Sequence, residues 1–174
     1  DTEAMAMSAR NTGDVYFVPA FSGLATPYWD QYARGTIVGL TRGVNKNHIV
    51  RATLESMALQ VGDIISVMEK DSGIAINDIK VDGGASANSL LMQMQADFTD
   101  KKIVRPCCVE TTAMGAAYLA GLAVSYWKSQ EDIIANWSID REFEPKIDSQ
   151  MRDKKIKGWN KAVKYSHDWA KDEE

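Results

Sequence analysis

The sequence contains little cysteine, proline or histidine. Its 174 residues include two cysteines, four prolines and two histidines. Cys107 and Cys108 are adjacent in the chain, which is poor geometry for a disulfide between them. The scarcity of cysteine excludes a disulfide-stabilised scaffold, and we expect two reduced thiols in a cytoplasmic protein.

The sequence also lacks an excess of positive charge and any long apolar run. The formal net charge is −4 and the mean hydropathy is −0.29, so the whole chain has no electrostatic reason to bind nucleic acid. No apolar run approaches the ~20 residues that a membrane-spanning helix needs. The opening residues carry no basic segment followed by an apolar one, so we expect no signal peptide. With 45% apolar residues, the length suits one domain with a substantial core.

The hydrophobic pattern alternates between strands and helices. This order predicts an α/β domain with mostly parallel strand pairing. The predicted strands cover residues 15–20, 36–40, 79–82 and 102–105, and the predicted helices begin near residues 47, 86–88, 111–112 and 148. We interpret residues 1–14 as the end of a preceding helix or linker. Residues 148–174 are predicted to form a C-terminal helix and tail.

Two segments suggest structural roles for unusual residues. The helix after residue 111 is rich in alanine and glycine, which predicts close packing against a sheet or another helix. In the loop over residues 21–35, Tyr28, Trp29 and Tyr32 are expected to pack the loop itself. Asp30 and Arg34 are expected to pair with one another or with a neighbour.

Common catalytic and metal-binding motifs are missing. The sequence has no G-x-G-x-x-G, no P-loop, no H-E-x-x-H and no cysteine or histidine spacing typical of zinc. His48 lies at the predicted start of a helix, where it is expected to pack or to cap. His167 is far from it in the sequence.

The segment VDGGASAN, residues 81–88, joins a predicted strand directly to a helix through two glycines. Such a turn brings bare backbone and free N–H groups to a helix start, where they are available to an anionic or polar ligand. Gly83 and Gly84 form the turn, and Asn88, placed one turn into the helix, can reach back toward it. A plain tight connection is the alternative interpretation. Asp82 faces the ligand through water or metal, or caps the nearby turn.

Several longer motifs resemble those of the FGGY carbohydrate kinases. GTIVGL at residues 35–40, followed after seven residues by HIVRATLE at residues 48–55, resembles the second signature of that family. VDGGASAN resembles the adenosine motif, and residues 111–127 resemble the helix that follows it. The loop PYWDQYARGTIVGLTRG is closer to members that phosphorylate glycerol than to the sugar kinases.

The resemblance implies a ribonuclease H-like domain of the actin and hexokinase type, incomplete at its N-terminal strands. Residues 1–174 would be the C-terminal nucleotide-binding domain. Gly84 and Asn88 match positions that contact ATP or ADP, with Gly83 and Ala85 as neighbouring backbone. The substrates implied are ATP with Mg²⁺ and glycerol, the latter bound by an N-terminal domain that this chain lacks.

The intact enzyme would be a cytoplasmic homo-oligomer. Because the residues that select the substrate and the general base are not in this chain, we expect the chain alone to be inactive. Another FGGY polyol or sugar kinase, or a non-catalytic nucleotide-binding or interaction module, are the alternatives.

Overall fold

The computed structural model describes residues 1–171. The last three residues of the predicted tail lie outside them. The elements are α1 (Thr2–Met7), β1 (Tyr16–Val18), β2 (Thr36–Val38), α2 (Lys46–Ser72), β3 (Asp78–Lys80), a 3₁₀ turn (Gly84–Ala87), α3 (Ser89–Thr99), β4 (Lys102–Pro106), α4 (Thr111–Ala123), α5 (Gln130–Ile134), β5 (Ile139–Phe143) and α6 (Ser149–Lys164). None of the helices among these residues is both long and apolar enough to cross a membrane.

The strands form two small sheets. β1 and β2 pair antiparallel, while the second sheet has the order β3-β4-β5, with β3 parallel and β5 antiparallel to β4. The prediction of mostly parallel pairing is therefore wrong. The loop over residues 19–35 reverses the chain, so that β2 pairs with β1. Strand β5, which the sequence pattern missed, pairs antiparallel with β4. Phe143 is the last residue of β5 and the one buried residue of that strand.

Helix α2 has well-defined ends. The Asn45 side chain accepts hydrogen bonds from the first backbone amides of the helix, and His48 Nδ1 accepts one from the Asn45 amide at 3.2 Å. This reciprocal pair satisfies amides that have no partner within the helix. The helix ends at Gly73, which adopts a left-handed φ of 67°. The predicted capping role of His48 is confirmed.

The core lies where α2 packs against α3 and α6 covers β1. The Trp159 side chain is 1% exposed, and its Nε1 donates a hydrogen bond to Asp63 Oδ2 at 2.8 Å. The Tyr28 hydroxyl donates to the same oxygen at 2.8 Å. Burial raises the pKa of Asp63 above its ordinary value. This carboxyl group thus joins α2, α6 and the loop after β1, and Tyr28 packs the loop as predicted.

An ion-pair network crosses the middle of α2. The Glu55 side chain is nearly buried, with its carboxylate 2.7 Å from Lys155 Nζ and 3.5 Å from Arg51 Nε. Arg51 Nη1 also donates to the carbonyls of Ala6 and Ala9, at 3.3 and 3.0 Å. Two residues of the HIVRATLE motif therefore tie together α1, α2 and α6.

The loop after β1 differs in part from the prediction. Trp29 does not pack: it directly follows the turn at residues 26–28, adopts a positive φ of 51° and is 77% exposed. Asp30 accepts the backbone N–H of Asp168 and lies 3.1 Å from His167 Nδ1. Backbone hydrogen bonds, first that from Asp168, lower the pKa of Asp30. Arg34 donates to backbone carbonyls, so both charges pair with neighbours and not with one another.

Helix α4 does not pack as its composition predicts. Among the described residues of this helix only Gly121 is buried, beneath the Trp127 ring, and Leu119 is 72% exposed. Small side chains permit another helix or a sheet to pack closely against α4, but they do not determine that such an element is present. The chain that follows, residues 125–127, packs against the C-terminal half of α4, where the Trp127 ring contacts Tyr118 and covers Gly121.

Candidate functional site

The turn between β3 and α3 is built around Gly83. Its φ of 76° and ψ of 170° define a backbone conformation that only glycine adopts without strain. The Gly83 amide donates to the Val109 carbonyl at 2.7 Å, which ties the turn to the loop after β4. The buried Ser86 hydroxyl donates to the Gly83 carbonyl at 2.7 Å. The turn is therefore fixed from both sides.

The outer side of this turn is bare backbone. Gly84 and Ala85 are exposed, and a Cβ added at Gly84 would meet no atom within 4 Å. Gly84 does not adopt a left-handed φ, unlike Gly83. The glycine at position 84 is thus not required by the turn itself. Open space beside an unstrained glycine is what a ligand that contacts backbone needs.

Asn88 lies at the start of α3, not one turn into it as the sequence suggested. It is the N-cap residue, and its Oδ1 accepts the Leu91 amide at 2.9 Å. The short 3₁₀ turn over Gly84–Ala87 uses the residues that the sequence assigned to the first helical turn. Because the cap uses the oxygen, the Nδ2 group is the part of this side chain available to a ligand.

Arg105 anchors the turn, and sequence reasoning missed it. Its Nη1 donates to the carbonyls of Ser86 and Ala87 at 2.9 and 3.3 Å. Its Nε lies 2.7 Å from Asp140 Oδ2, on the antiparallel strand β5. A planar guanidinium with several fixed donors suits such a role. The available signal was a lone arginine at the end of the strand that neighbours the turn.

Asp82 is engaged by a side chain from α4. The Thr111 hydroxyl donates a hydrogen bond to the Asp82 carboxylate, which joins the end of β3 to the first residue of α4. Helix α4 begins at Thr111 as the sequence predicts, with Glu110 as the N-cap residue and no side-chain hydrogen bond to cap it. The Thr111 hydroxyl forms a hydrogen bond with the Asp82 carboxylate and none that caps the first amides of the helix. Asp82 accordingly helps to hold the two connections together.

The four residues predicted to bind a ligand, Gly83, Gly84, Ala85 and Asn88, thus share one turn at the carboxyl end of β3. The turn therefore presents backbone groups and one carboxamide, which are suited to binding and orienting a ligand. Within residues 1–171 no group of three or more histidine, cysteine, aspartate or glutamate side chains is placed to hold a metal ion.

The chain is a mixed α/β domain, and it shares the actin and hexokinase-like ATPase fold with solved kinases. The chain belongs to the FGGY family of carbohydrate kinases, and residues 1–124 match the model of that family's C-terminal domain.

Curated relatives extend the likeness to almost the whole chain. Glycerol kinase from Agathobacter rectalis is 65% identical over 173 residues, which are 99% of this chain and 35% of that protein. Glycerol kinase from Thermoanaerobacter pseudethanolicus is 55% identical over 171 residues, or 98% of this chain and 34% of that protein. The chain spans about a third of the length of these relatives.

Solved structures show the same fold. A crystal structure of Plasmodium falciparum glycerol kinase with ADP is 38% identical, with a TM-score of 0.84. The match covers 95% of this chain and 33% of that one. Xylulose kinase from Rhodospirillum rubrum, at 22% identity, covers 94% of this chain and 33% of its own with a TM-score of 0.74. That second likeness concerns the fold alone.

Proposed function

We propose that this chain is the C-terminal nucleotide-binding domain of a cytoplasmic, homo-oligomeric kinase that transfers phosphate from ATP to glycerol. The observation that carries the proposal is the 65% identity to a glycerol kinase over 99% of the chain. The related Plasmodium falciparum structure contains ADP, which supports a nucleotide as one substrate. The exposed glycine turn supplies a suitable place for it.

In this proposal the turn binds the adenosine part of the nucleotide. The bare backbone at Gly84 and Ala85 admits the ligand closely, and Asn88 Nδ2 donates a hydrogen bond to it. Arg105 and the Val109 carbonyl keep the turn in place. Gly83 provides the conformation that lets the chain enter the helix at this angle.

Mg²⁺ is proposed as a companion of the nucleotide phosphates. This ion keeps several waters and is often held by one or two carboxylates together with substrate phosphates. Asp82 is the carboxylate nearest the turn in sequence, and it already accepts the Thr111 hydroxyl. These residues fit an ion brought by ATP better than an ion held by the protein alone. When bound, the ion neutralises phosphate charge.

Phosphoryl transfer depends mainly on positioning and charge neutralisation. The share of this chain is to fix one reactant, while glycerol and the general base belong to the remaining two thirds of the intact enzyme. Another FGGY kinase is the second candidate, because xylulose and gluconate kinases share the fold. Those two kinases are only 24% identical to this chain, whereas a glycerol kinase is 65% identical, so glycerol is the favoured substrate.

The intact polypeptide that contains this chain is expected to phosphorylate glycerol with ATP. A coupled assay that measures ADP release should show turnover with glycerol and much less with xylulose or gluconate. The chain of 174 residues alone should give none, because the proposal assigns glycerol binding and the general base to the rest of the intact enzyme. Faster turnover with xylulose or gluconate than with glycerol would show that glycerol is not the substrate. Turnover by the isolated chain would contradict the proposed division of roles.

Asn88 allows the nucleotide contact to be separated from helix capping. The Asn88→Ser variant keeps a capping oxygen and loses Nδ2, so it should weaken ATP binding by about 1–2 kcal/mol, the scale of one hydrogen bond. Asn88→Ala should lose the same binding energy and about 1 kcal/mol of stability besides. Nucleotide titration and urea unfolding measure the two effects. Wild-type affinity in the serine variant would remove Asn88 from the site.

A further inference from the structure

The loop between β4 and α4, residues 107–110, carries two exposed thiols. Cys107 and Cys108 are both free and both exposed. The Cys107 amide donates to the Ser138 carbonyl at 2.9 Å, which fixes the start of the loop beside the entry to β5. These are the two cysteines of the chain, and the proposed function uses neither of them.

This loop is in direct contact with the glycine turn. The carbonyl that accepts the Gly83 amide at 2.7 Å is that of Val109, the residue next to Cys108. Just beyond the loop, the Thr111 hydroxyl donates to Asp82, the residue before Gly83. One hydrogen bond from the loop and one from the first residue of α4 therefore connect this part of the chain to the start of the turn. A change at the thiols is placed to affect the turn.

We propose that Cys107 and Cys108 form a thiol-modification site for small-molecule disulfides, and that a mixed disulfide there weakens nucleotide binding at the neighbouring turn. The second half of this proposal rests on the proposed function of the turn.

The chemistry is a thiol–disulfide exchange. A cysteine thiolate attacks one sulfur of the small disulfide, a new sulfur–sulfur bond forms, and the original one breaks. The leaving thiolate takes up the proton that the cysteine released, and the small disulfide is the oxidant. Adjacent Cα atoms lie about 3.8 Å apart, below the usual ~4.4–6.8 Å for a disulfide. The mixed disulfide is therefore the expected product, and not a ring between the two cysteines.

The effect on the nucleotide follows from size and charge. Oxidised glutathione adds a tripeptide group with net negative charge to Cys107 or Cys108, one or two residues from Val109. ATP and ADP are themselves anionic, so the negative charge of the adduct repels a nucleotide bound at the neighbouring turn. It also strains the loop whose carbonyl holds the Gly83 amide.

The test uses the intact polypeptide and a Cys107→Ser/Cys108→Ser double variant. Both are incubated with oxidised glutathione, and peptide mass spectrometry locates the adduct. ADP affinity is then titrated before modification, after it, and after reduction with dithiothreitol. The double variant controls for cysteines elsewhere in the intact protein. We expect an adduct on residues 107–108, a rise of at least about tenfold in the Kd for ADP, and full recovery on reduction. The double variant should keep its affinity throughout.

A second measurement reports on the proximity of the two sites. Bound ADP should slow the formation of the adduct at residues 107–108 severalfold. An adduct that leaves the Kd unchanged, or no adduct on this peptide, would overturn the inference. Failure of the unmodified protein to bind ADP would instead overturn the proposed function, and the coupling with it. The peptide mass separates these cases.

Discussion

The Gly84→Val variant is expected to lose ATP affinity by about a hundredfold, roughly 3 kcal/mol, while it keeps the wild-type fold. Gly84 has an ordinary φ, and an added Cβ meets no protein atom within 4 Å. The protein therefore has room for a β-carbon at this position, and we expect the valine side chain to occupy the space that the nucleotide needs. Nucleotide titration measures the loss, with circular dichroism to confirm the fold.

The neighbouring glycine supplies a matched control. Gly83 has a φ of 76°, so Gly83→Ala is strained and should cost about 1–3 kcal/mol of stability. A Cβ there also meets no protein atom within 4 Å, so the cost would come from the backbone conformation. Gly84→Val should therefore lose ATP affinity and keep its stability, whereas Gly83→Ala should lose stability. A folded Gly84→Val protein with wild-type affinity would show that the turn is only a connection.

The Lys155→Met variant is expected to lower the free energy of unfolding by about 3–5 kcal/mol, the cost of removing one partner of a buried ion pair. Glu55 is 5% exposed, and Lys155 Nζ lies 2.7 Å from its carboxylate. The variant leaves that carboxylate in the core with only Arg51 Nε, at 3.5 Å, as an ionic partner. Urea unfolding of variant and wild type measures the difference.

The double variant Glu55→Gln/Lys155→Met tests the cause. Without the buried charge, much of the lost stability should return, because a neutral amide costs less to bury than an unpaired carboxylate. A Lys155→Met protein that unfolds within 1 kcal/mol of wild type would mean that water or Arg51 compensates for the lost partner. An equal loss in the single and double variants would assign the effect to packing of the lysine stem.

Local patterns in the sequence predicted much of this fold. Helix α2 follows from apolar residues at steps of three and four, with a capping asparagine before it and Gly73 after it. The inner face of helix α3 follows from the spacing of Leu91, Met94 and Phe98, which are all buried. The turn at residues 81–88 follows from two glycines between a strand and a helix. Each of these signals lies within a few residues of the feature it defines.

The features that were missed depend on contacts between distant parts of the chain. Strand β5 has the sequence IDREF, in which only Phe143 is buried, so it carries no apolar alternation. Arg105 reaches its carbonyl partners 18 and 19 residues away, and its carboxylate partner 35 residues away. The outward direction of Trp29 depends on a backbone angle that its residue type rarely adopts. No local pattern contains this information.

The family model matches a shorter part of the chain than the part that forms the core. The match to the family model ends at residue 124, yet β5, the Asp140 partner of Arg105 and the whole of α6 come later. A protein trimmed at that boundary would lose Trp159 from its core and leave Glu55 without its lysine. Domain exchange between kinases of this family should therefore place the junction beyond α6, whatever the sequence profile suggests.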